Sequence, residues 1–123
     1  MNALVVDDSR AMRMIIGQGL KKLGYQVTEA GNGREALQKL AQMEAPVLAL
    51  VDWNMPVMDG LEFITAVRAR RDYDALRIVM VTTETESEQV LRAMAAGANE
   101  YVMKPFTKDV LVAKLSMLDV FGA

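Results

Sequence analysis

The side chains of this sequence that could do chemistry follow short apolar segments, at points where a buried strand would meet water. They are, in chain order, Asp7, Asp8, Asp52, Thr82, Thr83 and Lys104. Carboxylates brought together without an arginine among them repel one another and therefore need a cation nearby. Oxygen ligands without histidine or cysteine favour Mg²⁺, and a lysine and a hydroxyl suit phosphate oxygens. The combination indicates phosphoryl transfer with Asp52 as the nucleophile.

Each of these groups also has an ordinary structural explanation. Asp8 or Ser9 suits the N-cap of a following helix, because a short polar side chain accepts a hydrogen bond from the first helical turn. Thr82 suits a strand as a β-branched residue, and Lys104 suits a solvated surface. The placement of all these groups after separate apolar segments favours a shared site over coincidence.

The composition narrows the chemistry further. The sequence has 123 residues, no cysteine, no histidine and a formal net charge of −2. Thiolate and imidazole catalysis, zinc–thiolate and imidazole metal sites and a phosphohistidine carrier are therefore excluded, and the charge gives no reason to expect direct nucleic-acid binding.

No apolar run approaches the ~20 residues of a membrane span, and Met1 leads into an apolar segment without a signal-peptide pattern. We expect a cytoplasmic protein that does not insert into a membrane.

Short apolar segments alternate with helical patterns along the whole sequence. The predicted strands cover residues 3–6, 25–30, 47–52, 78–81 and 101–103. Apolar residues recur at helical spacing after each strand, among them Ile15 in the first helix, Leu91 and Met94 in the fourth, and Val110 in the last. The alternation predicts right-handed βαβ units, and so an α/β fold with one parallel sheet covered by helices on both faces. The short connections indicate a single domain over residues 1–123.

Polar residues with the spacing of helix caps precede several of the predicted helices. They are Asn32 with Glu35, Asp59 with Glu62, Thr85 with Glu88, and Thr107. Gly24 and Gly97 follow the first and fourth helices, where a residue with positive φ is favoured. These signals bound the helices and leave only short turns between strands and helices.

The motifs around the candidate residues resemble those of response-regulator receiver domains of two-component systems. The matching stretches are VVDDS at 5–9, VDWNMPVMDG at 51–60, MVT at 80–82 and YVMKPF at 101–106. The resemblance runs from Ala3 to about Leu118, and in detail the sequence is similar to the single-domain chemotaxis type. It implies a flavodoxin-like (βα)5 fold with strand order 2-1-3-4-5 and a phosphorylation-activated signalling switch.

The resemblance also implies a role for each candidate acid. Asp52 accepts a phosphoryl group from a phosphohistidine of a sensor histidine kinase or a phosphotransfer protein. Asp8 and Asp52 bind Mg²⁺ directly, Asp7 acts through water, and the backbone carbonyl of Asn54 contributes a further ligand. The domain also hydrolyses its own phosphate, at a rate tuned by the side chains of Asn54 and Glu84.

In the same way, the resemblance implies the phosphate ligands and the switch. Lys104 pairs with the phosphoryl oxygens, and the Thr82 hydroxyl and the backbone amides of Trp53 and Thr83 complete the phosphate site. When phosphate is present, Thr82 moves toward it and Tyr101 rotates inward. Such a movement is a local charge event that biases a two-state element.

The fourth predicted helix departs from the chemotaxis type, in which its start is basic. Here residues 84–88 are Glu-Thr-Glu-Ser-Glu, which suits a helix N-terminus through the helix dipole but argues against binding to the flagellar motor switch. Helix four, strand five and helix five are still expected to bind an unidentified downstream target protein. Candidate residues there are Arg92, Tyr101, Lys108 and Lys114.

Further expectations concern the backbone and the assembly. We expect a cis peptide bond between Lys104 and Pro105, as in the family. The start at Met1 and the end soon after the last helix favour a free-standing regulator over a receiver cut from a larger protein. We expect a monomer, while dimerisation on phosphorylation stays open, as do the cognate kinase, the target and the phosphate lifetime.

Three other functions compete with the signalling switch, which is not itself a multiple-turnover enzyme. A phosphatase with an aspartyl nucleophile commonly has a general acid two residues later, where this sequence has Asn54 and no cap domain. Gly31, Gly33 and Ala36 form a G-x-G-x-x-A pattern typical of dinucleotide sites, but it follows the second predicted strand rather than the first. A degenerate, phosphate-independent receiver is disfavoured because the polar site residues are retained.

Overall fold

The computed structural model describes residues 1–82 and 87–118, and its strands and helices alternate as predicted. The strands are β1 (Asn2–Val6), β2 (Gln26–Ala30), β3 (Pro46–Asp52), β4 (Arg77–Thr82) and β5 (Glu100–Met103). The helices are α1 (Arg10–Lys22), α2 (Gly33–Gln42), α3 (Gly60–Arg68), α4 (Ser87–Ala96) and α5 (Lys108–Met117), with a short 3-10 turn at Arg71–Tyr73. All strand pairs are parallel, in the order β2-β1-β3-β4-β5. The predicted flavodoxin-like fold is therefore confirmed.

Alternate residues of each strand supply two hydrophobic cores, one on each face of the sheet. In β1, Leu4 and Val6 belong to the core beneath α2, α3 and α4, and Ala3 and Val5 belong to the core beneath α1 and α5. In β3 every residue in the range 48–52 is buried. A strand covered on both faces has no polar alternation, which is why the strands are apolar runs in the sequence.

The chain changes direction along the sheet between β1 and β3, and the candidate acids lie at that point. β1 pairs with β2 on one side and with β3 on the other. Val6 pairs with Val51, so the residues that follow them, Asp7 and Asp52, lie side by side at the strand ends. Ligand sites of open α/β sheets form at such a switch point, beyond the carboxyl ends of the strands.

The helix starts agree with the capping residues in the sequence. Side chains accept capping hydrogen bonds at the starts of α1, α2, α3 and α5, from Ser9, Asn32, Asp59 and Thr107 respectively. Asp59 and Glu62 form a reciprocal capping box. Thr85, which was predicted to pair with Glu88, lies outside the described residues.

Four of the apolar residues that recur at helical spacing are exposed. They are Ile15, Leu91, Met94 and Val110. In α4 a small residue, Ala93, makes the buried contact. A helix packs only one stripe against a sheet, so apolar residues beside that stripe stay at the surface. None of the described helices is long and apolar enough to cross a membrane.

Two glycines let the loop after β3 pack closely against its neighbours. A side chain on Gly33 would overlap Met58, whose carbonyl accepts a hydrogen bond from the Gly33 amide at 3.0 Å. A side chain on Gly60 would overlap the carbonyl of Asp52. Gly33 therefore has a packing role, which removes support for the dinucleotide-binding alternative.

Arg68, at the end of α3, connects three segments at the opposite end of the sheet from the candidate site. Its guanidinium donates to the carbonyls of Gly97, Tyr73 and Leu76 at 2.9, 2.8 and 2.7 Å, and to the side-chain oxygen of Asn99 at 2.8 Å. A planar guanidinium serves several acceptors at once, which a single ammonium cannot. Arg68 thus fixes the end of α3 relative to the turns before β4 and β5.

Replacing Arg68 with Met removes this donor but keeps an apolar stem. We expect Arg68→Met to lower the free energy of unfolding by about 3 kcal/mol, because it leaves partly buried carbonyls without charged donors. Arg68→Lys retains the charge but not the fork of donors, and should lose about half as much. Urea denaturation followed by circular dichroism measures both losses. Equal stability of Arg68→Met and the parent protein would contradict this role.

Val57 occupies a backbone conformation that its side chain disfavours. Its φ is 70°, in the left-handed region that β-branched residues rarely adopt, and its side chain is exposed. We expect Val57→Asn to raise the free energy of unfolding by about 1 kcal/mol, since Asn tolerates this region. Urea denaturation measures the change, with Val57→Thr as a β-branched control of unchanged stability. A loss of stability in Val57→Asn would show that the strain is not significant.

Candidate functional site

Asp7 is the most firmly held acid at the strand ends. Its side chain is buried, and its carboxylate accepts hydrogen bonds from the Ser9 amide at 2.9 Å and the Lys104 ammonium at 2.7 Å. Its own amide donates to the Ala30 carbonyl at 3.1 Å, which continues the pairing of β1 with β2. A buried carboxylate is stable only where partners such as these replace water.

Asp8 follows Asp7 but is exposed to solvent. Ser9, not Asp8, caps α1, because its hydroxyl accepts a hydrogen bond from the Met12 amide at 3.3 Å. The capping explanation for Asp8 is therefore removed. Carboxylate oxygens of Asp7, Asp8 and Asp52 all lie within 4.8 Å of one another, so the structure brings together the three acids predicted to bind a metal ion.

Asp52 ends β3 within this cluster and is 8% exposed. Burial raises the pKa of its carboxyl group to about 6, and the negative charges of Asp7 and Asp8 add to the increase. Lys104, 3.5 Å away, acts in the opposite direction. At pH 7 the group is still ionised in most molecules, so it is available as a nucleophile.

Lys104 supplies the positive charge among these acids. Burial acts to lower the pKa of its ammonium group, but the hydrogen bond to Asp7 and the charges of Asp52 and Asp7 raise that pKa above its ordinary value. Its contact with Asp7 is 2.7 Å and that with Asp52 is 3.5 Å. The ammonium is therefore charged and bound mainly to Asp7. The Lys104–Pro105 peptide bond is cis, as expected.

Thr82 and Tyr101, the predicted switch residues, lie on neighbouring strands. Thr82 is buried at the end of β4, and its hydroxyl donates to the side-chain oxygen of Gln89 in α4 at 3.4 Å. Tyr101 is half-buried, and the Lys114 ammonium lies 4.4 Å from its ring centroid. Lys114 also pairs with Glu100 at 3.3 Å. The structure thus connects the site to α4 through Thr82, and connects β5 to α5 through Tyr101.

Trp53 and Asn54, the two residues after Asp52, were also predicted to belong to the site. The Trp53 amide donates to the carbonyl of Val81 at 3.0 Å, and its predicted contact with phosphate stays a prediction. The hydrogen bond continues the parallel pairing of β3 with β4, which explains its partner. Asn54 is exposed, and its predicted roles as a metal ligand and in hydrolysis stay predictions.

Two of the predicted site residues are not described by the structure, and two residues that contact the site were not predicted from the sequence. Thr83 and Glu84 lie outside the described residues, so their roles stay predictions. Sequence reasoning missed Gln89 and also Arg13, whose guanidinium donates to the Asp7 carbonyl. Arg13 stands among apolar residues of α1 and looks like an ordinary solvated charge, because Asp7 lies outside the helix, just after β1, and no local motif marks the contact.

The donor set of this cluster fits a magnesium ion. Its three carboxylates offer only oxygen atoms, and the sequence contains no histidine or cysteine. Mg²⁺ is commonly bound by one or two carboxylates and retains several waters, which suits a cluster whose Asp8 faces solvent. The mutual repulsion of the acids is only partly offset by Lys104, and this is a further reason for a cation here.

Comparison with known proteins establishes the family. Residues 3–116 match the response regulator receiver domain. The chain therefore belongs to that family and is a phosphorylation-activated switch of two-component signalling. Receiver domains generally bind Mg²⁺ at an acidic pocket and interact with histidine kinases and downstream targets, and in this chain Asp7, Asp8 and Asp52 form an acidic cluster.

Individual relatives extend the likeness over nearly the whole chain. A chemotaxis protein CheY homolog of Campylobacter jejuni is 47% identical over 99% of this chain and 93% of its own length. Chemotaxis protein CheY1 of Helicobacter pylori is 44% identical over 96% of both chains. The structure of chemotaxis response regulator CheY4 of Vibrio cholerae has a TM-score of 0.87 and 40% identity, covering 95% of this chain and 97% of that one. The resemblance to receiver domains of the chemotaxis type is thus confirmed.

The raised pKa of Asp52 makes the stability of the metal-free protein depend on pH. The carboxyl group titrates near 3.8 in its ordinary state and near 6 in the fold. Between these values the folded state binds more protons than the unfolded state, so stability falls as pH rises through this window. Above it the loss persists, because the ionised group is disfavoured in the fold.

Asp52→Asn removes the loss of stability that ionisation of Asp52 causes, because Asn carries no ionisable group. We expect the variant to be more stable than the parent by about 2 kcal/mol at pH 7 without Mg²⁺, and the difference to disappear at about pH 4. Urea denaturation in EDTA across this range measures it. Asp72→Asn, which changes an exposed acid outside the cluster, is the control and should show no such trend. A difference for Asp52→Asn that does not vary with pH would contradict the raised pKa.

Proposed function

We propose that Asp52 is the phosphoryl acceptor of this receiver domain and that a phosphohistidine of a sensor histidine kinase or a phosphotransfer protein is the donor. The position of Asp52 carries the proposal. It is a buried carboxylate at the switch point of the sheet, within 4.8 Å of two further acids and 3.5 Å from a lysine. Membership of the receiver family supplies the class of reaction.

Hydrogen bonding distinguishes the acceptor from its neighbouring acids. Both carboxylate oxygens of Asp7 are engaged, one by the Ser9 amide and the other by the Lys104 ammonium. Among the described residues, Asp52 has only the long contact between one of its oxygens and Lys104. Its other oxygen is therefore the one suited to form a bond to phosphorus. Asp8 is exposed and suited to a hydrated ion.

In the proposed transfer, an oxygen of the Asp52 carboxylate attacks the phosphorus of the phosphohistidine. The P–O bond to Asp52 forms as the P–N bond to the donor breaks, and the imidazole nitrogen keeps the electron pair and takes up a proton from solvent. In the later hydrolysis, water attacks phosphorus, the bond to Asp52 breaks and inorganic phosphate leaves. The domain thus processes only its own phosphate, and we infer that it acts as a switch and not as a multiple-turnover enzyme.

The remaining polar groups have matching roles in this proposal. Asp8 and Asp52 would hold Mg²⁺ directly, Asp7 would act through water, and the Asn54 carbonyl would contribute a further ligand. When bound, Mg²⁺ offsets negative charge on the phosphoryl oxygens. Lys104, which is charged, exchanges its hydrogen bond with Asp7 for one with a phosphoryl oxygen, while the Asp7 carboxylate keeps its hydrogen bond from the Ser9 amide.

Thr82 provides the proposed route from the phosphate to the surface. Its hydroxyl donates to Gln89 in the resting arrangement, so turning toward a phosphoryl oxygen breaks a contact with α4. The Tyr101 ring then moves into the vacated space and away from the Lys114 ammonium, which lies 4.4 Å from the ring centroid at rest. A local change of charge thereby biases a two-state arrangement of α4, β5 and α5.

We propose that the exposed face of α4, β5 and α5 binds the downstream target protein. Apolar side chains of Leu91, Met103 and Val110 are exposed on these elements, together with the basic Arg92 and Lys108. The relatives from C. jejuni and H. pylori are chemotaxis proteins by name, and we extend that process to this chain. The acidic sequence at 84–88 argues for a target contact different from one made by a basic helix start.

Phosphorylation by a small donor tests the assignment of the acceptor. We expect acetyl phosphate with Mg²⁺ to add one phosphoryl group, seen as a mass increase of the intact protein. Asp52→Asn should abolish the increase, because it removes the attacking oxygen anion. Asp8→Asn should slow labelling by roughly tenfold or more, because it removes a proposed metal ligand and leaves the acceptor in place.

Asp59→Asn is the matched control for these variants. It changes an aspartate close to Asp52 in sequence, and Asn preserves the capping of α3, so it should be labelled like the parent. Labelling that persists in Asp52→Asn would contradict the proposal. So would an unlabelled parent under conditions that label another receiver domain.

A further inference from the structure

We propose that Arg13 is a positioning residue of the metal site, which orients the peptide between Asp7 and Asp8 so that the Asp8 carboxylate faces the ion. The inference rests on the proposed function of this site. Arg13 contacts the backbone of Asp7, so its effect on the ion is transmitted through the peptide.

The Arg13 side chain reaches from α1 to the ends of two strands. Its Nη1 donates to the Asp7 carbonyl at 2.7 Å, and its Nε donates to a Glu29 carboxylate oxygen at 3.2 Å. The side chain is only 18% exposed. A planar guanidinium held at two of its edges has a fixed orientation, so the hydrogen bond to Asp7 is a lasting constraint on the backbone.

The Asp7 carbonyl belongs to the peptide that joins Asp7 to Asp8. The amide and both carboxylate oxygens of Asp7 already have partners, and Arg13 engages the one polar atom that is left. Because the Asp8 side chain is exposed, its location is determined by the backbone more than by packing. Arg13 therefore fixes the peptide plane that carries the Asp8 carboxylate.

The positive charge of Arg13 should weaken Mg²⁺ binding, whereas its positioning of the peptide should strengthen it. A cation near a metal site repels the incoming metal ion, so loss of the charge alone would tighten Mg²⁺ binding. Loss of a positioning contact would weaken binding instead, and partners of metal ligands typically contribute roughly 10–100-fold to affinity. The direction of the change thus separates the two effects.

The experiment measures Mg²⁺ affinity of the full chain from the fluorescence of Trp53, the only tryptophan in the sequence and the neighbour of Asp52. We expect Arg13→Gln to weaken Mg²⁺ binding roughly tenfold. Arg13→Lys should recover only part of the loss, because one ammonium cannot engage both partners in the same geometry. Arg70→Gln removes an exposed arginine and controls for net charge, and should leave the affinity unchanged.

Glu29 offers a second pair of variants that leave Arg13 in place. Glu29→Ala removes the acceptor that orients the guanidinium, and should weaken Mg²⁺ binding several-fold. Glu29→Gln keeps an oxygen acceptor for Nε and should bind Mg²⁺ within about twofold of the parent. The side chain of Glu29 is 41% exposed, so these variants test the proposal even where Arg13→Gln folds poorly.

Unfolding experiments distinguish positioning from a purely structural role. Binding stabilises a fold according to the ratio of ligand concentration to Kd, so a fixed Mg²⁺ concentration should stabilise Arg13→Gln less than the parent. An equal loss of stability in EDTA and in Mg²⁺, with unchanged Kd, would overturn the inference, as would tighter binding. A parent protein without any response to Mg²⁺ would instead overturn the proposed function of the site.

Discussion

Three carboxylates lie within 4.8 Å of one another at the end of the sheet, and their mutual repulsion is the constraint on which the rest of the site depends. Burial and neighbouring negative charge raise the pKa of Asp52 to about 6, so the ionised cluster is unfavourable without a cation. Lys104 compensates only in part, because it lies closer to Asp7 than to Asp52. A divalent ion at the proposed metal site would supply the missing positive charge, and it would also offset the charge of an added phosphoryl group.

Packing in the two buried cores holds the acids close together and so maintains this repulsion. The pairing of Val6 with Val51 fixes which residues follow at the ends of β1 and β3, and a shift of one residue would turn core side chains to the wrong face. The start of α3 packs directly against the end of β3 and further restricts its position, because any side chain on Gly60 would overlap the carbonyl of Asp52. Asp7 and Asp52 cannot separate without disturbing packing on both faces of the sheet, so the packing of the whole domain maintains an arrangement that is locally unfavourable.

Much of this organisation follows from the sequence, but the choice of partners does not. Unbroken apolar runs predict strands covered on both faces, and the residues after them predict the cluster, since parallel strands end at one edge. Periodicity could not show that Ala93 would be buried and Leu91 exposed, because α4 carries apolar residues on more than one face. Nor could it show that the Trp53 amide would bond to Val81 or that Arg13 would bond to Asp7. The contact of Trp53 joins strands that are distant in sequence, and that of Arg13 joins a helix to the end of a strand six residues away; no local pattern encodes either contact.

The contacts of the site divide into those that phosphate can replace and those that it cannot. Lys104 and Thr82 hold side-chain partners, at 2.7 Å for Lys104 with Asp7 and 3.4 Å for Thr82 with Gln89, and a phosphoryl oxygen can substitute for either partner. Asp7, by contrast, is held through its own backbone and by the Ser9 amide. Replaceable contacts therefore lie on the side of β4, β5 and α4, where the proposed target surface is, and permanent contacts lie on the side of β1. A site divided in this way can keep its metal ligands fixed while the groups that respond to phosphate move.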